Sequence, residues 1–354
     1  MPAELLDAVA CPKRMAYGPC GGVGFDGSCE VADFPCVFLD AAPVAWHGVE
    51  PAARTEPRMA ADPVPDPVPS PGAAAMRALL ATRPIVVADF PARALDADSL
   101  AACARALAGS ADAVLAGDSG TARVQFPPAY RARLIQDAGM TPWMGVNNRD
   151  RNRVALEAEL AALAHAGVAG VHCVTGDHPD VGSRPDAAAV FDLDSTETAA
   201  LARRAGHLVS VAEAPLSPPV AARPGRLLEK ERAGAELCFV NHAGGVAPVA
   251  AFVAEARAIG VTLGFIPCVP IVLDRGSAEL IRGFTSLALP EGYLDGILAA
   301  SDPWRAGITA AVELSRRFLD VDGVVGVDLS GGAAPGGELA FAEALAEIAQ
   351  GVLA

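Results

Sequence analysis

The chain has 354 residues, with 27 Lys and Arg against 42 Asp and Glu, so its formal net charge is −15. This acidic balance disfavours binding to a phosphate backbone, and we expect no nucleic-acid partner. Hydrophobic residues make up 52% of the chain and charged residues 19%, which argues against disorder over most of its length.

No apolar run reaches the roughly 18–20 residues that a membrane-spanning helix needs. The N-terminus also lacks the basic and apolar stretches of a secretory signal. We therefore expect a soluble, cytoplasmic protein without a membrane partner.

The first 40 residues hold four clustered cysteines, Cys11, Cys20, Cys29 and Cys36, separated by eight, eight and six residues. In a chain without an export signal, such thiols favour a metal or cluster site over disulfides. Zinc would suit a structural site and an iron–sulfur cluster would suit electron delivery. The spacing leaves both open, together with a reduced segment that binds no metal. We predict a cysteine-rich, metal- or cluster-binding module over residues 1–40.

The next segment is rich in proline, which stands at every second position from Pro63 to Pro71. Proline cannot donate a backbone hydrogen bond and does not continue a helix, so this run is expected to be extended and semi-rigid. We predict a proline-rich linker over residues 41–83.

From residue 84 onward, short apolar runs alternate with helical stretches that are rich in Ala, Leu and Arg. The runs have the continuous apolar character of buried parallel strands and cover residues 85–90, 113–117, 143–147, 170–175, 208–212, 237–241, 262–266 and 323–329. Eight strand–helix units in about 270 residues predict a (β/α)8 barrel over residues 84–354. An open doubly wound sheet is the alternative. The longest interval leaves room for extra helices around 275–318. The predicted fold class is thus α/β, a (β/α)8 TIM barrel preceded by the small cysteine-rich module and the linker.

Polar residues follow nearly every predicted strand, at the end where barrel enzymes build their active sites. Asp177 lies on a sharp turn after the fourth strand. It would either cap the next helix or accept paired N–H donors from a heterocycle. The run from Asn148 to Arg153 would either begin a helix with solvated charges or contact an anionic cofactor or substrate tail.

Over residues 84–275 the sequence resembles the methylenetetrahydrofolate reductase family. The resemblance rests on RDRNR at 149–153 and VTGDHP at 174–179, followed in the family's order by FDLDS at 191–195 and KERAGA at 230–235. Residues 1–40, with CPKRM, GPCGG, GSCEV and Cys36, separately resemble a cysteine module that accompanies reductases of this family in some bacteria.

The resemblance implies a (β/α)8 barrel that reduces 5,10-methylenetetrahydrofolate to 5-methyltetrahydrofolate in one-carbon metabolism and methionine biosynthesis. A reduced folate is the implied substrate. Electrons would come from NAD(P)H or from a protein donor, and hydride would reach the folate through bound FAD. A homo-oligomer is left open.

The same resemblance assigns roles to individual residues. Asp177 matches the Asp that holds the pterin ring and tunes the flavin, so it is a catalytic and a substrate-binding candidate. Asn241 falls where the family has a pterin-binding Gln, and Lys230 falls in a basic patch near the cofactor phosphates. The other residues assigned to the cofactor are Asn148, Arg149, Asp150, Asn152, Thr175 and Gly176.

The chain departs from the family at the general acid, where Ala88 replaces a Glu. Asp89 is the candidate proton donor, although strand alternation predicts that it faces the opposite side from residue 88. Ala214-Pro215 also replaces the family's Tyr-Pro after the fifth strand. Two alternatives to a reductase therefore stay open. One is a folate-dependent methyl-transfer enzyme without hydride chemistry, and the other is an accessory folate-binding or cluster-bearing subunit.

Overall fold

The computed structural model describes residues 11–42, 44–49, 60–118, 122–284 and 287–354. Eight parallel strands follow one another around a closed barrel. They are β1 (Ile85–Asp89), β2 (Ala113–Ala116), β3 (Pro142–Asn147), β4 (Gly170–Val174), β5 (Val209–Glu213), β6 (Leu237–Val240), β7 (Gly264–Pro270) and β8 (Gly326–Ser330). Because β1 pairs with β8, the predicted barrel is confirmed and the open sheet is excluded.

Helices connect the strands and cover the outside of the barrel. They are α1 (Pro71–Leu80), α2 (Ala97–Leu107), α3 (Pro128–Asp137), α4 (Arg153–Ala166), α5 (Ser195–Arg204), α6 (Arg223–Arg232), α7 (Val246–Ala258), α8 (Arg275–Arg282), α9 (Tyr293–Leu298), α10 (Pro303–Leu319) and α11 (Glu338–Leu353). The extra helices expected between the last two strands are α8, α9 and α10. No helix of the described residues is long and apolar enough to cross a membrane.

Alternate residues of each strand belong to two separate apolar cores. Val86 and Ala88 of β1 lie in the larger core, between the strands and the surrounding helices. Ile85 and Val87 lie in the smaller core, which fills the barrel interior together with residues such as Trp143. The period of two along a strand produces this division. It decides which strand residues can reach the mouth of the barrel.

Helix α1 closes the end of the barrel opposite the mouth. Its residues Ala73 and Met76 are buried in the interior core. Helix α1 begins where the alternating prolines end, since Ser70 caps it and Pro71 is its first residue. The segment predicted as a linker therefore contains a helix that packs on the barrel. Its described part also buries Trp46 against the outer core. The predicted domain boundaries stay a prediction.

The cysteine-rich segment docks beside the mouth of the barrel. The Tyr17 backbone N–H donates to Asp194 Oδ2 at 3.1 Å, and Asp194 is also the cap of α5. Ser217 Oγ, which follows β5, donates to the Val23 carbonyl at 2.9 Å. Backbone groups of the segment are thus held by side chains of the barrel.

Candidate functional site

The mouth of the barrel brings together polar residues from several strand ends. Asp89 ends β1, Asn147 ends β3, Asn241 follows β6 and Cys268 lies on β7. Asp328 lies on β8, directly opposite Cys268 in the sheet register. By strand alternation with the interior apolar residues, these side chains point into the barrel. The carboxyl ends of barrel strands are where such folds place their chemistry.

Asp177 presents a carboxylate at this mouth, on the turn after β4. Gly176 precedes it with φ +87°, a left-handed conformation that favours glycine. The Asp177 side chain is 54% exposed and forms an ion pair with Arg123 at 3.3 Å. It does not cap the next helix, because His178 caps the short 3₁₀ helix Pro179–Val181. The carboxylate is therefore open to a ligand, and its role stays a prediction.

The charged run after β3 makes contacts within the protein. Asn152 caps α4 by accepting from the Ala155 N–H at 3.0 Å. The Asn148 side chain donates to the Leu193 carbonyl at 2.7 Å, and Arg149 pairs with Asp118 at 2.9 Å. Arg149 also contacts Asp150 at 3.1 Å, and Thr175 Oγ1 accepts from the Ser195 N–H at 3.3 Å. The run therefore leads into α4, but Asn148 and Arg149 are buried rather than solvated. Its contact with a cofactor stays a prediction.

Lys230 lies in a buried ion-pair network beneath the end of β5. Its Nζ donates to Glu213 Oε2 at 2.7 Å and to the Ala212 carbonyl at 2.6 Å. Arg223 also donates to Glu213, at 3.0 Å. Burial alone would raise the pKa of Glu213, but the charges of Lys230, Arg223 and Arg226 lower it to about 2. A cofactor phosphate could reach Lys230 only if these contacts changed.

Asn241 lies two strands away from the turn that carries Asp177, with β5 between them. Its backbone N–H donates to the Glu213 carbonyl at 2.9 Å, which continues the β5–β6 pairing past the end of β6. The residue is half-buried at the mouth. Both predicted pterin-binding residues, Asp177 and Asn241, thus lie at the same end of the barrel. Their shared role stays a prediction.

Residue 88 of β1, where the sequence resemblance leads us to expect a glutamate, does not face the mouth of the barrel. Ala88 is fully buried against the helices, and Asp89 faces the mouth, where its Oδ2 accepts from the Gly331 N–H at 3.0 Å. Burial raises the pKa of Asp89 to about 6, against the hydrogen bonds from Ser330 and Gly331. Alternation therefore places Asp89 and Ala88 on opposite faces as expected, and Asp89 is the residue on the inner face.

Sequence reasoning assigned no role to Asp328 or Cys268. Asp328 is only 1% exposed, and Cys268 Sγ donates to its Oδ2 at 3.5 Å. Its Oδ1 is buried and has no hydrogen-bond partner among the residues that the structure describes. Burial and the nearby charge of Asp89 raise the pKa of Asp328 well above its usual range. The apolar run that predicted β8 includes one aspartate, Asp328, at an inward-facing position. A charged residue within an apolar strand was the signal that the sequence offered.

The four N-terminal cysteines are free, half-buried and line one pocket together with Lys13 and Glu30, which form an ion pair. Burial and the neighbouring thiols Cys20 and Cys36 raise the pKa of Cys11 to about 11, against two backbone hydrogen bonds. Four thiols are a suitable donor set for zinc or an iron–sulfur cluster. Across the described residues, however, no three His, Cys, Asp or Glu side chains are close enough together to hold a metal ion. The donor chemistry fits a metal, and the present spacing of the donors does not.

A model of a known protein family matches residues 3–50. Its description is "Methylene-tetrahydrofolate reductase C terminal". The resemblance predicted for the cysteine module is confirmed by this match, and the eight-stranded barrel has the fold that the resemblance implies. In this chain the matched segment precedes the barrel. No protein with a curated description matches the chain.

Solved structures with a similar fold include an uncharacterized protein from Clostridium thermocellum that binds two copies of 5-methyl-5,6,7,8-tetrahydrofolic acid. It is 10% identical, with a TM-score of 0.58, over 77% of this chain and 98% of that chain. A 2,3-dimethylmalate lyase of the PEP mutase/isocitrate lyase superfamily is 13% identical over 73% of this chain and 78% of its own, with a TM-score of 0.44. An oxaloacetate acetylhydrolase is 13% identical over 74% and 81%, with a TM-score of 0.45. At these identities the likeness shows the fold alone.

Proposed function

We propose that the chain binds a reduced folate at the mouth of the barrel and reduces 5,10-methylenetetrahydrofolate to 5-methyltetrahydrofolate. The observation that carries this proposal is the exposed Asp177 carboxylate on its left-handed glycine turn. A carboxylate in that position can accept two N–H donors from the aminopyrimidinone edge of a pterin. The family match of residues 3–50 supports the assignment to folate chemistry. So does a barrel of the same fold that binds 5-methyltetrahydrofolic acid.

NAD(P)H or a protein donor would supply the electrons. The side chains of Asn148, Arg149, Thr175 and Lys230, which the resemblance assigns to FAD, make contacts within the protein. For these residues to hold FAD, such contacts would have to be exchanged. FAD binding therefore stays a prediction that rests on the resemblance.

The exposed Asp177 carboxylate also favours a second candidate function. A folate-dependent methyl transfer would use the same pterin contact and would need neither a flavin nor a nicotinamide. The test is whether methyl exchange with an acceptor occurs in the absence of both. An accessory folate-binding subunit would show folate binding with neither activity.

We expect the full chain to bind 5-methyltetrahydrofolate and Asp177→Asn to weaken that binding about 10- to 100-fold. Hydrogen bonds to a charged group contribute roughly 1.5–3 kcal/mol, which corresponds to this range. Isothermal titration calorimetry measures the effect. The matched control is Asp180→Asn, which removes an exposed carboxylate three residues away and should change the affinity less than twofold.

No binding heat with either 5-methyl- or 5,10-methylenetetrahydrofolate would refute the proposal. Equal affinities of the wild type and Asp177→Asn would mean that another residue contacts the pterin. Folate-dependent oxidation of NADH or NADPH then separates a reductase from the two alternatives.

We further propose that the four N-terminal cysteines, which line one pocket, bind zinc or an iron–sulfur cluster. Thiolates are the ligands, so binding releases protons from thiols such as Cys11, whose pKa is raised. Protein purified without air is expected to carry metal, and Cys29→Ser should lower the content measured by mass spectrometry at least several-fold. Cys103→Ser, in α2, should leave it unchanged. A wild-type protein without zinc or iron above background would overturn this proposal.

A further inference from the structure

A pair of carboxyl groups stands where β1 and β8 meet. Asp89 is half-buried at the mouth, and Asp328 lies one layer deeper. The register places Val87 opposite Asp328, so Asp89 is two residues further along the neighbouring strand on the same inner face. Among the described residues, neither carboxyl forms an ion pair with a Lys or Arg, and a charge on Asp89 raises the pKa of Asp328.

The surroundings of the pair can stabilise one negative charge and not two. Asp89 accepts the Gly331 N–H at 3.0 Å and a hydrogen bond from the Ser330 hydroxyl. Within the part of the chain that the structure describes, Asp328 has only the weak Cys268 thiol donor at 3.5 Å, and its Oδ1 has no hydrogen-bond partner. A buried carboxylate oxygen without a donor is costly, whereas a carboxylic acid there is not. Two like charges on neighbouring strands of the same inner face also disfavour double ionisation.

We propose that Asp89 and Asp328 share one proton and together form the acid of this site, in place of the family's glutamate. Asp89 is the catalytic residue, because it faces the mouth and would contact the substrate. Asp328 is a positioning residue that holds the proton within the pair. The inference rests on the proposed folate function.

The proton has a defined destination in the proposed reaction. The acid donates it to the leaving nitrogen of the five-membered ring as the bond from the methylene carbon to that nitrogen breaks. The bonding electron pair goes to the nitrogen. The pair of aspartates, now without its proton, takes one back from water because its surroundings stabilise only one negative charge. The resulting iminium carbon takes a hydride, which a reduced nicotinamide supplies directly or through a flavin. Proton and electrons then balance for the formation of a methyl group.

The titratable groups that face the pair define its pH range. Burial raises the pKa of Asp89 to about 6. Burial also raises the pKa of Asp328 well above its usual range, with a further contribution from the charge of Asp89. Burial likewise raises the pKa of the Cys268 thiol well above its usual range, with added contributions from Asp328, Asp89 and Cys238, so the thiol is neutral. The pair therefore keeps one proton as the pH rises above 6, whereas Asp89 by itself would lose its proton there.

Infrared spectroscopy of the folate-free protein with ¹³C-labelled aspartate tests the shared proton directly. We expect a protonated carboxyl band at pH 7.5 in the wild type. Asp328→Asn should remove it at that pH, and the band should return as the pH falls below 6. If the wild type has no such band at pH 7.5, Asp89 and Asp328 do not share a proton. This conclusion would hold whether or not the protein binds folate.

Turnover as a function of pH separates the two roles. Asp89→Asn is expected to lower kcat about 10²- to 10⁴-fold at every pH, the range for loss of a general acid. Asp328→Asn should match the wild type below pH 6 and lose about tenfold for each pH unit above it. Glu279→Gln, an exposed carboxylate on α8, is the control and should follow the wild-type profile.

The outcomes also separate the inference from the function on which it rests. An Asp328→Asn profile parallel to that of the wild type would overturn the positioning role. Calorimetry with 5-methyltetrahydrofolate monitors the proposed function independently, and Asp328→Asn should bind within about threefold of the wild type. Loss of folate binding in the wild type would refute the proposed function, whereas the infrared band would still report on the pair.

Discussion

Ala88→Glu, which would restore the residue of the family's motif, is expected to destabilise the barrel and to give no gain in folate turnover. Ala88 is fully buried in the core between the strands and the helices, among apolar residues such as Leu100 and Leu107. A carboxylate there would have no cationic partner, and a glutamate side chain would also overpack the layer. We expect a loss of about 3 kcal/mol or more in the free energy of unfolding.

Urea unfolding followed by circular dichroism measures this loss. Ala158→Glu, at an exposed position of α4, is the matched control and should stay within about 0.5 kcal/mol of the wild type. A stable Ala88→Glu protein with increased turnover would mean that residue 88 faces the mouth. That result would contradict the inner and outer faces of β1 described above.

The barrel itself could be predicted from the sequence, because its signal is repeated along the chain. Each strand is buried on both faces, so each gives a continuous apolar run such as 85–90, and the eight runs recur with helices between them. All eight strands were predicted, with ends that differ by a few residues. Closure of the barrel depends on the pairing of β1 with β8, which no local pattern contains.

The site was less predictable, because a sequence motif does not specify which face of a strand or helix a residue occupies. Asp177 ends on an exposed turn at the mouth, where its motif predicted a ligand contact. Asn148 directly precedes the RDRNR motif and Lys230 begins the KERAGA motif, yet both are buried with partners from the protein. Asp328 and Cys268 belong to no motif, and only the register of β7 and β8 places them side by side. Long-range pairing decides each of these cases.

Lys230→Met is expected to lower the free energy of unfolding. The substitution removes one of the two hydrogen-bonded cations that hold the buried Glu213, which is 2% exposed. Removing one partner of a buried ion pair typically costs about 3–5 kcal/mol, because the other charge is left uncompensated. Arg223 still contacts Glu213 at 3.0 Å, so we expect a loss near 3 kcal/mol in the free energy of unfolding.

The pH dependence of that loss has a definite sign. In the wild type the pKa of Glu213 is lowered to about 2, below its usual value near 4.3. Its ionisation therefore stabilises the fold above the usual pKa, and this contribution is lost as the pH falls toward 2. Without Lys230 the pKa of Glu213 rises and the contribution shrinks. The difference between the variant and the wild type should be largest above about pH 5 and should narrow as the pH falls.

Two further variants establish the cause. Arg133→Met breaks an exposed ion pair with Asp137 and should cost at most about 1 kcal/mol. The double variant Glu213→Gln/Lys230→Met removes both charges of the pair and should recover part of the stability that Lys230→Met loses. If Lys230 instead served only to bind a cofactor phosphate, Lys230→Met would unfold at the wild-type urea concentration and lose cofactor affinity alone. Because its ammonium group is buried and contacts both Glu213 and the Ala212 carbonyl, we expect the loss of stability.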